Sequence, residues 1–202
     1  MPSDETLVSR FKFDGDMEAF DLLHNRYRKS ILNYLCRYVG NYQKAEELTQ
    51  ETFIRVYRHL PNFKPTGKVS GWIYAIATNL ARMEFRRAGK HKGTVSMNAL
   101  FSKDGEEIGM EDFIPNHRKR PDRIARAQEI ERRIQEGIAA LPEKFRQVFI
   151  LCTIEGFSYR EASRALEIGE GTVCSRLVRA RKKFALALGL EPGKPISDEL
   201  TW

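Results

Sequence analysis

Side chains that could bind phosphate and pair with bases are concentrated in the stretch "GEGTVCSRLVRARKK", residues 169–183. Its last twelve residues carry five cations and no acid. Arginine can donate two parallel hydrogen bonds to guanine, and lysine neutralises phosphate. At 100° per residue, the apolar side chains gather on one side of a helix and face a core. The residues predicted to form that core seam are Val173, Leu177, Ala180, Phe184 and Leu188.

The opposite face of this helix has the chemistry of a DNA-binding surface. It carries Thr172, Ser175, Arg179 and Lys182, with Val178 beside them. Small Thr172 and Ser175 would permit close approach to base edges, whereas Lys182 suits phosphates. Taken alone, the helix could equally be a solvated basic helix end, because cations are favourable at helix C-termini.

The residues before this helix favour the DNA-binding interpretation. Ser158 to Glu161 match a capping box, which predicts the start of a short helix. The sequence "EIGEG" then supplies a turn into the basic helix. A short helix, a turn and a second helix with a cationic outer face predict a helix-turn-helix, whose second helix enters the major groove.

A second candidate site lies in "AEELTQETFIRVYRHL", residues 45–60. Phe53, Val56, Tyr57 and Leu60 follow core spacing. Residues spaced i, i+3, i+4 and i+7 form another face of the same helix. This face has two like charges four residues apart together with an apolar residue, a combination typical of a protein interface rather than a solvated face. This predicted partner face consists of Glu47, Gln50, Glu51 and Ile54.

A third candidate site combines a loop with the helix that follows it. The helix has a core side containing Trp72 and Ile73 and an outer face with Asn79, Arg82 and Arg86. Aromatic, basic and amide side chains together suit unstacked bases, since rings stack on bases, cations hold phosphate and amides contact base edges. The loop contributes Phe63, Lys64, Lys68 and Ser70. A core position is the alternative for Phe63.

These candidate sites belong to an all-helical chain. Helical patterns are predicted at about 4–13, 16–39, 42–60 and 70–87, and again from 122 to 188. Residues 89–120 carry four glycines, little periodicity and the acidic run "DGEEIGMED". Such a stretch is too long for a structureless loop inside one compact domain. We therefore expect two small helical domains, residues 1–88 and 122–188, with a flexible linker at 89–121 and a loose tail at 189–202.

Composition narrows the class of protein. The net charge is +7 and the pI about 9.4, which favours a polyanionic partner. Three unpaired cysteines indicate a reducing compartment, and no apolar run reaches bilayer length, so a cytoplasmic protein is expected. The four histidines lack metal spacing, and no nucleophile–base pair stands out. We therefore predict neither an enzyme nor a metal or cofactor.

Three segments together resemble the bacterial extracytoplasmic-function sigma factors, members of the sigma-70 family. "AEELTQETFIRVYRHLPNF" resembles the helix that binds core RNA polymerase, and "GWIYAIATNLARMEFRR" resembles the promoter −10 segment. "LPEKFRQVFILCTIEGFSYREASRALEIGEGTVCSRLVRARKK" resembles the −35 helix-turn-helix. The resemblance covers residues 4–88 and 122–188 and implies a sigma-2-like and a sigma-4-like domain.

The resemblance also implies roles for individual residues. It implies that Glu47, Gln50, Glu51 and Ile54 bind the clamp helices of core polymerase. Flipped bases of the −10 element would be captured by Phe63, Asn79 and the loop Lys68–Ser70, with Arg82, Arg86 and Arg87 on the adjacent backbone. The −35 element would be recognised by Ser175, Arg176 and Arg179, beside Thr172 and Lys182. An anti-sigma factor is an expected further partner, and membrane contact is expected only through it.

Other functional classes are also considered. A stand-alone helix-turn-helix regulator would leave the 47–54 face and residues 63–87 without a role. A recombinase-like enzyme would need a catalytic cluster that the sequence does not show. A decoy that sequesters an anti-sigma factor would have a degraded DNA-binding helix, and Arg176, Arg179 and Lys182 argue against that. Cys174 stands where relatives often carry arginine, which puts one expected −35 contact in doubt.

Overall fold

The computed structural model describes residues 1–64, 68–90 and 121–190, and side chains within those ranges except 88–90 and 121–127. All regular structure in these ranges is helical. The first domain contains α1 (Asp4–Asp14), α2 (Met17–Val39), α3 (Tyr42–His59), a short 3₁₀ turn (Leu60–Asn62) and α4 (Val69–Lys90). The predicted acidic linker run and C-terminal tail lie outside the described residues.

The helices of the first domain begin and end where capping chemistry dictates. Ser3, Asp16 and Asn41 are N-caps whose side chains accept hydrogen bonds from backbone N–H groups of α1, α2 and α3. Gly15 and Gly40 end α1 and α2 in the left-handed conformation, which glycine adopts without a Cβ clash. α2 lies at the centre and packs against α1, α3 and α4.

The second domain contains α5 (Pro121–Ala139), α6 (Glu143–Phe149), a π-helical turn (Ile150–Ile154), α7 (Tyr159–Leu166) and α8 (Glu170–Ala187). The predicted capping box is present, with Ser158 and Glu161 bonded reciprocally. Pro142 is the N-cap residue of α6. Gly137 allows α5 to approach α8, because a Cβ there would lie 2.7 Å from Cε2 of Phe184.

The two domains pack against each other through α2 and α4 of the first and α5 to α7 of the second. The Tyr74 hydroxyl donates to the Glu155 carboxylate at 2.5 Å, and the Tyr74 ring lies 4.9 Å from that of Phe157. Arg37 forms an ion pair with Glu131 at 2.7 Å. This packing decides which candidate site residues are open to solvent.

Candidate nucleic-acid interface

The outer face of α8 is open to solvent. Its predicted core seam is confirmed, since Val173, Leu177, Ala180, Phe184 and Leu188 are all buried. On the opposite side Ser175, Arg179 and Lys182 are exposed, while Thr172 and Arg176 are half-buried. The Ser175 hydroxyl donates to the Thr172 carbonyl at 3.2 Å, which holds this side chain close to the helix. The N-terminal half of α8 therefore presents a shallow polar surface followed by cations.

A tight turn orients α8 relative to α7. Glu167 adopts a left-handed conformation, with φ of 55°, at the end of α7. The Ser163 hydroxyl donates to the Ile168 carbonyl at 2.5 Å, and the Ile168 N–H donates to the Ser163 carbonyl at 3.1 Å. Ala162, Ala165 and Leu166 are buried against the domain core. These hydrogen bonds and the buried residues thus fix the orientation of α8 relative to α7, although the left-handed residue of the turn is Glu167 rather than a glycine.

The outer face of α4 carries the amide and cations predicted for a melted strand. Asn79, Arg86 and Arg87 are exposed. Arg82 is half-buried and is already occupied: its Nε donates to Gln147 Oε1 at 2.8 Å, and its Nη2 donates to the Leu166 carbonyl at 3.3 Å. The structure therefore brings three of these residues to the surface and places Arg82 under the second domain.

The loop that precedes α4 also contacts the second domain. Lys68 Nζ forms an ion pair with Glu161 Oε1 at 2.8 Å. The hydrogen bond from Lys68, with those from Ser158, lowers the pKa of the Glu161 carboxyl to about 2. Ser70 is half-buried at the start of α4. Lys68 thus faces a carboxylate of the helix-turn-helix in this structure.

Phe63 lies in the core of the first domain. Its side chain is buried and packs against the Trp72 ring at a centroid distance of 4.7 Å. Its carbonyl accepts a hydrogen bond from Lys12 at 3.5 Å. The structure thus matches the alternative position considered for this residue, and a buried ring offers no free face on which a base could stack.

The α3 face that was predicted to bind a protein partner is exposed. Glu47 and Gln50 are exposed and Glu51 is half-buried, while Ile54 keeps 45% of its surface in solvent. The predicted repulsion between the two glutamates is offset, because Glu47 pairs with Lys44 at 2.5 Å and Glu51 with Arg55 at 2.7 Å. This leaves a polar face with one apolar residue at its end.

Sequence patterns did not identify several surface residues at these sites. Met17 and Tyr57 are exposed and contact each other, with 4.0 Å between the Tyr57 hydroxyl and the Met17 sulfur. Tyr57 follows core spacing and packs against Phe11 and Phe20, yet 43% of it is exposed. Val178 is 63% exposed on the outer side of α8. Of these three residues, the sequence placed only Val178 on an outer face, because the helical wheel put it near the cations of α8.

A cleft of about 380 Å³ lies between the two domains. Four cations and two acids line it, so its net charge is positive. Its charged lining residues are Arg82, Arg86, Glu143, Lys144, Glu167 and Arg176. Arg176, predicted to contact the −35 element, therefore lies in the same cleft as Arg82 and Arg86, predicted to contact the −10 strand.

Taken together, the structure has one helix-turn-helix with a cationic outer face and a second helical module with an amide and cations along one helix. These features are the ones expected of a helical protein with two nucleic-acid-binding modules. Within the described ranges, no cluster of metal-ligating side chains occurs and no helix could span a bilayer.

Comparisons with known proteins identify the family. The model for Sigma-70 region 2 matches residues 23–91, and that for Sigma-70, region 4 matches residues 131–184. The chain is 37% identical to the ECF RNA polymerase sigma factor SigE of Mycolicibacterium smegmatis, covering 91% of this chain and 68% of the relative. It is 34% identical to the RNA polymerase sigma-H factor of Pseudomonas aeruginosa, covering 92% and 93%. The chain belongs to the extracytoplasmic-function sigma factors of the sigma-70 family.

Solved structures support the same fold. CnrH in complex with the cytosolic domain of CnrY matches with a TM-score of 0.64 at 21% identity, covering 93% of this chain and 98% of that one. The sigma factor RpoE of Bartonella quintana, in complex with the anti-sigma factor NepR, matches with a TM-score of 0.63 at 19% identity, covering 85% and 98%. The family models and the relatives above 30% identity, rather than these structures, make the protein a sigma factor that directs promoter-specific transcription initiation, and not a stand-alone regulator.

Proposed function

We propose that this sigma factor binds core RNA polymerase through the α3 face and recognises promoter DNA through α8 and α4. The observation that carries the proposal is the exposed cationic face of α8, set by the α7–α8 turn within the segment that matches Sigma-70, region 4. In this assignment Ser175, Arg176 and Arg179 contact bases of the −35 element, while Lys182 contacts phosphate and Thr172 permits close approach.

The −10 strand is assigned to the α4 face and its loop. Asn79 suits a base edge, and Lys68, Arg82, Arg86 and Arg87 suit the backbone. Ser70 lies next to this loop, in the first turn of α4. We place Phe63 beneath this surface, where its packing on Trp72 positions the loop rather than a base. Each DNA-binding module is weak alone, and tethering both to one polymerase raises their joint affinity.

Run-off transcription tests this function directly. Purified chain and core polymerase are combined with promoter templates whose start sites are mapped after overexpression of the chain. Transcripts should begin at fixed positions downstream of a shared pair of −35 and −10 sequences, and only when the chain is present. Absence of any chain-dependent transcript at every mapped promoter would refute the proposal.

Replacing Ile54 with aspartate should weaken polymerase binding about five- to ten-fold, because a charge would then be buried in the interface core. Binding is measured by the titration of labelled chain with core polymerase. Leu186→Asp is the matched control, since Leu186 is an exposed apolar residue of the second domain. Equal affinity of the two variants would contradict the assignment of the α3 face.

Replacing Cys174 with arginine should strengthen −35 duplex binding about three- to ten-fold or shift its sequence preference. Cys174 is exposed on α8, so an arginine there can extend to the groove without disturbing the core. Duplex affinity is measured at fixed salt, with Cys174→Ser as a control that adds no charge. If neither affinity nor preference changed in the arginine variant, position 174 would have no contact with DNA.

An anti-sigma factor is proposed as a further partner. The proposal is supported by the solved structure of RpoE of Bartonella quintana, a sigma factor in complex with the anti-sigma factor NepR, and by that of CnrH, which is in complex with the cytosolic domain of CnrY. Any membrane association of this chain is assigned to that partner. Co-purification from cells that express the tagged chain, followed by mass spectrometry, tests the proposal.

A further inference from the structure

The cleft between the domains gathers positive charge without carboxylates close enough to pair with it. Its cations are Arg82 and Arg86 of α4, Lys144 of α6 and Arg176 of α8. Among the described side chains, no carboxylate oxygen lies within 4.0 Å of a charged nitrogen of these four, although other cations between the domains do pair with glutamates. The four charges therefore repel one another, and an anion placed among them would remove that repulsion.

The hydrogen bonds of Arg82 hold its guanidinium in place and leave its charge intact. Its Nε donates to Gln147 Oε1 at 2.8 Å and its Nη1 to Asn79 Oδ1 at 3.4 Å. Its Nη2 donates to the Leu166 carbonyl at 3.3 Å. All three acceptors are uncharged, and each Nη group retains a second N–H donor. A positioned, charged guanidinium with donors to spare is suited to phosphoryl oxygens.

A buried amide opens onto the same space. Gln147 lines the cleft with only 4% of its surface exposed. Its Oε1 accepts from Arg82, and no acceptor for its Nε2 lies among the described residues. Within those residues no side-chain nitrogen or oxygen is both fully buried and unpaired, so Nε2 is reached from the cleft. An oxygen of a ligand in the cleft would satisfy this donor.

The size and charge of the cleft indicate the class of ligand. Its volume of about 380 Å³ lies within the range of about 300–1,000 Å³ that is typical of small-molecule sites. Of its two acids, Glu143 accepts from the Tyr38 hydroxyl at 3.3 Å, and Glu167 is exposed at the end of α7. The cations come from three helices around the space, so a ligand must carry negative charge at several points. A short chain of phosphoryl groups does this within a small volume.

DNA alone does not account for this set of cations. Lys144 lies on α6, outside both faces that are assigned to DNA, yet it lines the same cleft. It is exposed, and its Nζ lies 5.2 Å from the centroid of the Phe145 ring. A space of this volume cannot admit a duplex, whose major groove alone is about 12 Å wide.

From these observations we infer that the cleft between the domains is a binding site for a small polyphosphate anion, either inorganic or carried by a nucleotide. The phosphoryl oxygens accept hydrogen bonds from Arg82, Arg86, Lys144, Arg176 and Gln147 Nε2. Because the anion engages Arg176, it competes with the −35 element. That competition rests on the proposed function, whereas the polyphosphate site does not.

The site is tested by titrating the free chain with inorganic tripolyphosphate in a calorimeter, without DNA or polymerase. Lys144→Ala should weaken binding about five- to ten-fold, because it removes one charged contact and leaves the core intact. Lys144→Arg should stay within about two-fold of the wild type, since it keeps the charge. Lys183→Ala is the matched control, because Lys183 is an exposed cation of α8 outside the cleft, and it should also stay within about two-fold.

Comparison of anions at one ionic strength separates a site from general attraction to a basic chain. Tripolyphosphate should bind at one site and about ten-fold or more tightly than monophosphate or citrate. Binding no tighter than that of citrate, or equal losses in Lys144→Ala and Lys183→Ala, would overturn the inference. ATP and GTP without magnesium identify the source: tighter binding than tripolyphosphate indicates a nucleotide, and equal or weaker binding indicates inorganic polyphosphate.

The competition is tested with the −35 duplex of a promoter that is active in the run-off assay. Saturating tripolyphosphate should weaken duplex binding by the wild-type chain about three- to ten-fold. Lys144→Ala should need about five- to ten-fold more of the anion for the same effect, whereas Lys183→Ala should need the same amount as the wild type. If all three chains responded at the same concentration, screening alone would displace the duplex, and the competition would be refuted. If no duplex bound, the proposed function would fail, while the titrations without DNA would still report the polyphosphate site.

Discussion

Alanine in place of Arg146 should lower the free energy of unfolding of the second domain by about 3–5 kcal/mol, which is a large part of a small domain's stability. Arg146 is buried, with 8% of its surface exposed. Its guanidinium donates to the Ile138, Ala139 and Leu141 carbonyls at 3.1, 2.6 and 3.1 Å. The Ile138 and Ala139 carbonyls lie in the last turn of α5, where helix carbonyls lack a full set of helical donors, and the Leu141 carbonyl lies two residues beyond the helix.

The same side chain ties the second domain to the first. Its Nη1 donates to the Tyr38 carbonyl at 3.0 Å, near the C-terminal end of α2, and its guanidinium carbon lies 5.0 Å from the centroid of the Phe85 ring. No carboxylate is needed, because the negative ends of two helix dipoles and an aromatic face surround the cation. Burial lowers the pKa of the Arg146 guanidinium, and these contacts offset the cost of burying its charge.

Denaturant unfolding followed by circular dichroism measures the effect. Arg146→Lys should recover part of the lost stability, since lysine retains the charge but cannot reach four carbonyls from one plane. Arg164→Ala, at an exposed position of α7, should change stability by less than about 0.5 kcal/mol. Similar losses for Arg146→Ala and Arg164→Ala would show that the buried hydrogen bonds do not stabilise this domain.

The helical elements were predictable because their information is local. Spacing of apolar residues located the core seam of α8, and the capping box placed the start of α7 at Ser158. In α2, the apolar residues Leu23, Ile31, Tyr34 and Leu35 recur at helical spacing and are buried. Such patterns depend on residues within one or two turns of each other, and the sequence contains all of them.

Contacts between the domains were not predictable because they join residues far apart in sequence. Tyr74 and Glu155 are separated by 81 positions, and Arg82 and Gln147 by 65. Arg146 follows a lysine in the first turn of α6, and nothing in the neighbouring residues indicates that it is buried. Its environment is created by the end of α5 and by α2, so only the assembled fold reveals its role.

Residue type and helical face predicted the candidate sites, but they did not predict which of the site residues are exposed to solvent. The α3 face and the outer face of α8 are exposed as their spacing indicated. Phe63, by contrast, is buried, because its ring packs on Trp72. The sequence of the loop is the same whether this ring stacks on a base or on Trp72. Which of these it does depends on tertiary packing, which the loop sequence does not encode.

Replacing Arg179 with alanine should weaken binding of the cognate −35 duplex about 10- to 100-fold and relax specificity at one base pair. The expectation follows from the exposed position of Arg179 on α8 and from the discrimination of about 1–3 kcal/mol that a bidentate arginine–guanine pair provides. The alanine variant should fold normally, because Arg179 lies opposite the buried Val173–Leu177–Ala180 seam.

Lys182→Ala is the matched comparison on the same face. It should weaken binding of cognate and unrelated duplexes by a similar factor, and it should reduce the slope of log affinity against log salt by about one, because it removes a phosphate contact. Arg179→Ala should instead lower the ratio of cognate to unrelated affinity. Duplex titrations at several salt concentrations, with each base pair of the −35 element varied in turn, separate the two outcomes. If both variants lost affinity uniformly across sequences, Arg179 would be a phosphate contact, and base recognition would have to come from the remaining side chains of α8.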